Sequence, residues 1–166
     1  MAQFEPAFAR LMKDEGVSLT NDPSDRGGLT FCGISRKFHP GWEGWKHVDH
    51  GNTPSMDMVR TFYKENFWNL IHGDDMIHQR VAEVVFSQYV NMGATGVKMM
   101  QTTVGVIADG KVWTKTLNAL NAMDEDMFLM RYALANIARY HAIGMKDKTQ
   151  RKFWAGWFKR GLSICL

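Results

Sequence analysis

Apolar residues recur at Phe4, Phe8, Leu11 and Met12, the i, i+4, i+7, i+8 stripe of an amphipathic helix, and Gly16 is a natural stop for it. The period then lapses through a Gly-, Asn-, Asp- and Pro-rich stretch that can hardly stay regular. Residues 35–39 have room for one helical turn before Pro40. Residues 41–52, with three glycines and no period, read as a loop carrying Trp42 and Trp45. Thr53-Pro54 has the form of an N-cap with proline in the first helical position, opening a helix through Met58, Val59, Phe62 and Tyr63 to about Trp68. Asp74 or Asp75 caps the next, whose spaced Val81, Val84, Val85, Tyr89 and Met92 face a core and which stops at Gly93. A short helix over 96–104 and a turn at Asp109-Gly110 follow, then a helix over 114–123. Asp124 caps a long helix through Phe128, Met130, Leu134, Ile137 and Tyr140 to Gly144, and a last helix carries Phe153 and Trp157. Strand signal is scarce: residues 108–112 could form at most a small hairpin, so the fold class is mainly α.

A chain of 166 residues fits one domain, or two small lobes sharing a core, and its 45% hydrophobic content suffices for a packed interior. No apolar run approaches the roughly 18 residues of a membrane span, which argues against stable membrane insertion. The N-terminus lacks the basic region and apolar core of a signal peptide. The expected compartment is therefore the cytoplasm of the producing cell. In that reducing setting Cys32 and Cys165 read as free thiols, though they could pair. The formal charge of +3 suits an anionic partner, peptidoglycan or nucleic acid, without choosing between them.

Glu15 should end the first helix. A carboxylate there meets the negative end of the helix dipole, and burial would raise its pKa further, which is how a general acid is made. The plain alternative is a surface helix-end glutamate. Gly27-Gly28 is no phosphate loop, since neither a preceding strand nor a following Lys-Ser/Thr is present; it reads as permissive backbone for a sharp bend. The six histidines (39, 47, 50, 72, 78 and 141) and two cysteines show no metal-ligand spacing, so no metal and no cofactor is expected. Nothing selects a histidine partner for a Cys32 nucleophile.

Glu15-Gly16, then Asn21-Asp22-Pro23, Asp25, Gly27-Gly28, Thr30 and Gly33-Ile34, resembles the opening motif of the glycoside hydrolase family 108 muramidases, the secretion-activator and phage-endolysin relatives within the lysozyme superfamily. The family usually writes E-G-G-Y where this chain has Glu15-Gly16-Val17-Ser18. In the second half, the run from Phe86 to Gly93, then Met100-Gln101, Gly105, Asp109-Gly110, Thr116-Leu117 and the closing Gly156-Trp157-Phe158-Lys159-Arg160, resembles the predicted peptidoglycan-binding domain that follows this catalytic region. Trp113-Thr114-Lys115 stands where relatives tend to have Gly-Pro before the threonine. The resemblance implies a lysozyme-like helical fold, with a muramidase region over 1–85 and a peptidoglycan-binding region over 86–166. No linker separates them, so they should pack as one body.

The implied reaction is hydrolysis of the β-1,4 bond between MurNAc and GlcNAc, which needs a proton for the leaving oxygen and a second group to manage the oxocarbenium-like carbon. Related phage lysozymes show E-x8-D-x5-T; here Glu15, Asp25 and Thr30 read E-x9-D-x4-T, with the outer spacing kept. Glu15 is then the acid, Asp25 the base or electrostatic partner, and Thr30 a hydroxyl that helps hold water. Turn chemistry is the other reading for Asp25, and Asp22 reads as a turn former before Pro23. Trp42, Trp45 and Trp68 could offer flat faces to sugar rings, or could be core. The resulting expectation is a monomeric, bacteriolytic endolysin, phage- or prophage-type, acting on peptidoglycan and not on nucleic acid, and released through a holin or export partner. The alternatives are a non-hydrolytic peptidoglycan-binding or secretion-assisting module, and a lytic transglycosylase.

Overall fold

The computed structural model describes residues 1–15, 18–21 and 28–165, with residues 14, 15 and 21 by their backbone. It is mainly α. Helix α1 (Phe4–Glu15) buries Phe4, Phe8, Leu11 and Met12, the stripe written in the sequence, together with Ala7. After it come three short strands in one antiparallel sheet, β1 (Leu19–Asn21), β2 (Leu29–Phe31) and β3 (Ile34–Ser35), in the order β1-β2-β3. The small β element therefore lies here and not at 108–112 as expected. Strands of two and three residues leave no period to read. The β2–β3 connection is Cys32-Gly33, both with positive φ (48° and 78°), joining the Phe31–Ile34 pair by the two-residue turn whose twist suits a hairpin. His39 N–H then donates to the Ser35 carbonyl at 2.9 Å, closing the expected helical turn.

The loop expected over 41–52 contains helix α2 (Gly44–Asp49). Its cause is tertiary. Trp45 is buried with its indole N–H on the His39 carbonyl at 2.8 Å, and the Trp42 ring lies against Gly44, where a Cβ would overlap it. Helix α3 (Met56–Tyr63) is capped by Ser55, which accepts from Met58 N–H, two residues later than the expected Thr53. It continues as a π turn over Lys64–Trp68 and a 3₁₀ turn over Asn69–Ile71. Neither Asp74 nor Asp75 caps the next helix: both sit in a 3₁₀ turn (Gly73–Asp75), where the Asp74 carboxylate accepts the Trp68 indole N–H at 2.8 Å. Helix α4 (Gln79–Met92) starts after His78 and stops at Gly93, whose φ of +56° ends the helix as expected.

Helices α5 (Ala94–Thr103), α6 (Thr114–Ala122), α7 (Glu125–Lys146) and α8 (Trp154–Leu162) complete the chain. Asp124 caps α7 by accepting Met127 N–H at 2.9 Å. Gly144 does not end α7; it makes room for Trp154, whose indole N–H reaches the Tyr140 carbonyl. The loop over 108–112 is closed by the side chain of buried Gln101. Its amide nitrogen donates to Asp109 Oδ1 (2.7 Å) and the Lys111 carbonyl (2.9 Å), and its oxygen accepts Gly110 N–H (2.8 Å). The same amide nitrogen lies 3.2 Å from the Thr116 hydroxyl at the start of α6, so Gln101, Asp109, Gly110 and Thr116 of the second motif meet at this loop. Arg160 of the closing motif reaches back to Asn91 on α4 at 2.9 Å.

Helix α4 is the shared support, packing on α1 on one side and on α5 and α7 on the other. One apolar cluster runs through both halves, from Phe4, Trp68 and Phe86 to Phe128 and Tyr132. The division drawn between 85 and 86 falls inside α4.

Candidate active site

Residue 15 is the last residue of α1, so its backbone stands at the helix C-terminus as the apolar pattern implies. The Glu15 side chain lies outside the described residues, as do Asp22 and Asp25. Thr30 is described. It is the central residue of β2, paired with Thr20 on β1 and Ser35 on β3, half-buried, with its hydroxyl donating to the Gly28 carbonyl at 3.0 Å. That bond uses the hydroxyl's one proton and leaves acceptor capacity on the oxygen.

The sheet is fastened to the helical body at its turn. The Tyr63 hydroxyl of α3 donates to the Cys32 carbonyl at 2.8 Å, and Cys32 N–H donates to the Ser18 carbonyl at 3.3 Å. Arg36, just past β3, grips the Asp49 carboxylate of α2 with two nitrogens at 2.6 and 2.8 Å, which holds that carboxyl below the usual Asp range. Phe31 of β2 stacks on Trp42 with ring centroids 6.1 Å apart.

Trp42 leads from the sheet into a groove of about 580 Å³, lined by His39, Asp57, Thr61, Phe62, Glu65 and Asn66 among others. The volume lies within the ~300–1,000 Å³ of small-molecule sites. His39 meets the Phe62 ring edge-on at 4.8 Å, and burial lowers its pKa, favouring the neutral imidazole. Positions 58, 61 and 62 of α3 and 65 and 66 of the π turn after it line the groove, an i, i+3, i+4, i+7, i+8 face. The sequence displays that spacing, but nothing in it separates a groove face from a solvated one.

Of the three tryptophans read as sugar platforms, Trp42 alone lines the groove, half-buried against Phe31 and Gly44. Trp45 and Trp68 are corrections. Trp68 is wholly buried among Phe4, Phe86 and Gly73, and Trp45 is buried beneath Trp42, so neither offers a face to a ligand. Cys32 and Cys165 are free thiols; Cys32 is buried, which pushes its pKa up. Among the described residues no group of three or more His, Cys, Asp or Glu is placed to hold a metal.

Helix α1 thus ends at residue 15, and a small antiparallel sheet that carries Thr30 and is fastened to the helical body by Tyr63 follows it. The chain belongs to glycosyl hydrolase family 108, whose model matches residues 8–93, and the predicted peptidoglycan domain matches residues 95–162. Among solved structures it resembles SagA of Brucella abortus, with a TM-score of 0.67 at 27% identity over 98% of this chain and 95% of that one. No curated protein matches the chain. The two family matches give it a role related to peptidoglycan hydrolysis, with peptidoglycan as the partner.

Proposed function

We propose that this chain is an N-acetylmuramidase that hydrolyses the MurNAc–GlcNAc β-1,4 bond. Glu15 protonates the leaving oxygen, Asp25 activates water or stabilises the oxocarbenium-like carbon, and Thr30 helps hold the water. The observation that carries this reading is the course of the backbone: α1 runs unbroken to residue 15, β1 begins at Leu19, and β2 returns antiparallel to it with Thr20 opposite Thr30. An acid at a helix C-terminus is disfavoured as an anion, as a proton donor at neutral pH must be. Asp25, beside Arg26 and before Gly27-Gly28, is in a setting that keeps a carboxylate ionised, so the two acids divide the roles. Asp22, between Asn21 and Pro23 in the sequence, is assigned the turn-forming role and not the catalytic one. The groove beside Trp42 is the candidate path for the glycan. No metal or cofactor enters the reaction. The enzyme accumulates as a monomer in the cytoplasm of the producing bacterium and reaches the wall through a holin or export partner, as an endolysin does.

Mass spectrometry of the fragments from purified peptidoglycan tests the reaction. Free reducing MurNAc ends are the expected products. Dominant 1,6-anhydro ends would make the chain a lytic transglycosylase, and binding without fragments would make it a wall-binding module. Asp25→Asn is expected to cut turnover with little change in melting, and Asp22→Asn to lower melting instead; the reverse result exchanges their roles.

A further inference from the structure

Charge is divided unevenly along the chain. Residues 131–166 carry eight Lys and Arg against one acid, Asp147, whereas residues 1–130 carry twelve against sixteen. The basic segment is α7 from Arg131 onward, the 3₁₀ turn Lys148–Phe153 and α8, which pack on one another. Among the described residues none of these eight cations forms a salt bridge with a carboxylate. Arg160 bonds the neutral Asn91 and Arg151 the Gly144 carbonyl, so their charges stay uncompensated. On α8 the outward arc carries Lys159, Arg160, Ala155 and Gly156. Leu162 and Phe153 flank it, 57% and 44% exposed, and Met145 of α7 is 55% exposed.

Such a surface fits several polyanions by charge, and its rings and apolar side chains decide between them. Stacking of unpaired nucleic-acid bases or of pyranose rings uses open aromatic faces. Here Trp157 is stacked on Tyr140 at 5.3 Å, and Trp154 is stacked by His141 at 5.7 Å and Phe158 at 5.9 Å, with the Arg151 guanidinium over it at 5.3 Å. Phe153 is tilted against Trp157 at 5.6 Å and capped by Lys152 at 5.0 Å, with its outer edge left exposed. The rings are spent on each other, while Phe153, Leu162 and Met145 project beside lysines. Exposed apolar side chains among uncompensated cations match an anionic lipid surface, where the cations meet headgroups and the apolar tips enter the acyl boundary.

We propose that the α7–α8 face docks this protein peripherally on anionic phospholipid membranes. The docking is reversible, and no helix of the described residues is long and apolar enough to span. For an enzyme made on one side of a membrane and acting beyond it, this face would concentrate the protein where it must cross. The docking itself does not depend on the muramidase reading.

Sedimentation of the full chain with vesicles tests it. Binding is expected to equal mixtures of phosphatidylglycerol and phosphatidylcholine, not to phosphatidylcholine alone, and to weaken with salt. The pair Lys152→Gln and Lys159→Gln should lower partitioning on the order of tenfold or more. The pair Phe153→Ser and Leu162→Ser, which keeps every charge, should lower it about tenfold. These four side chains are exposed, and unchanged thermal melting verifies folding. No partitioning into the anionic vesicles would overturn the proposal. So would binding unaffected by the serine pair together with equal binding to double-stranded DNA or isolated peptidoglycan, which would mark a general polyanion surface.

Discussion

The Tyr63 hydroxyl donates to the carbonyl of Cys32 at 2.8 Å, so a residue of α3 holds the turn of the sheet that carries Thr30. Cys32 sits at φ 48°, a left-handed conformation that a residue with a Cβ adopts at a cost. The buried hydrogen bond and the close packing of the thiol keep it there. Tyr63→Phe leaves that carbonyl without this donor in a buried setting. The expected loss is about 1–3 kcal/mol, read as a fall in melting temperature of several degrees, with the fold retained. An unchanged melting temperature would mean that the turn is held by its own backbone.

The two thiols should separate by reactivity. Cys165 is exposed, whereas Cys32 is buried with its pKa raised, which disfavours the reactive thiolate. One equivalent of an alkylating reagent is expected to react quickly with the native protein, at Cys165, and the second after denaturation. Rapid labelling of both would show that the β2–β3 turn opens readily.

Acid should weaken the fold through His39. Burial lowers its pKa in the folded state, so below the ordinary value of about 6.5 the unfolded chain takes up a proton that the folded chain resists. The sign follows: stability falls as pH drops from about 6.5 toward the folded-state value and levels off below it. Melting curves across that window should show the decline in the wild type and a shallower one in His39→Gln.

Gly144→Ala is expected to destabilise by about 1–3 kcal/mol although alanine favours helices, because the added methyl overlaps the Trp154 indole and displaces it from the Tyr140 carbonyl. Combining it with Trp154→Ala should recover part of the helix-propensity gain. A single Gly144→Ala variant as stable as the wild type would contradict the packing.

That glycine also marks what the sequence could convey. The helices were legible wherever a long apolar period stood between clear stops, as in α1 and in α4 with Gly93. A glycine in a helical run reads as a stop, yet at Gly144 a distant indole decides, and Trp154 lies ten residues on. The same applies to α2, whose glycine-flanked hexamer is held by Trp45 and its bond to His39, and to Asp74, drawn away from capping by Trp68. The sheet was hidden because strands of three residues have no period. Tryptophan identity did not reveal that Trp68 is core and Trp42 lines a groove. Of the candidate site, the helix end at residue 15 followed from pattern alone, while Asp25 and Thr30 were singled out through the motif; the α3 face of the groove went unread.

The central claim is that Glu15 is the general acid, and turnover of purified peptidoglycan by Glu15→Gln tests it most directly. The variant keeps the side chain's size and removes its proton donor. Turnover should fall by on the order of a hundredfold or more, with melting temperature and sedimentation with peptidoglycan unchanged. Turnover within about threefold of the wild type, far short of the loss a general acid carries, would contradict the assignment.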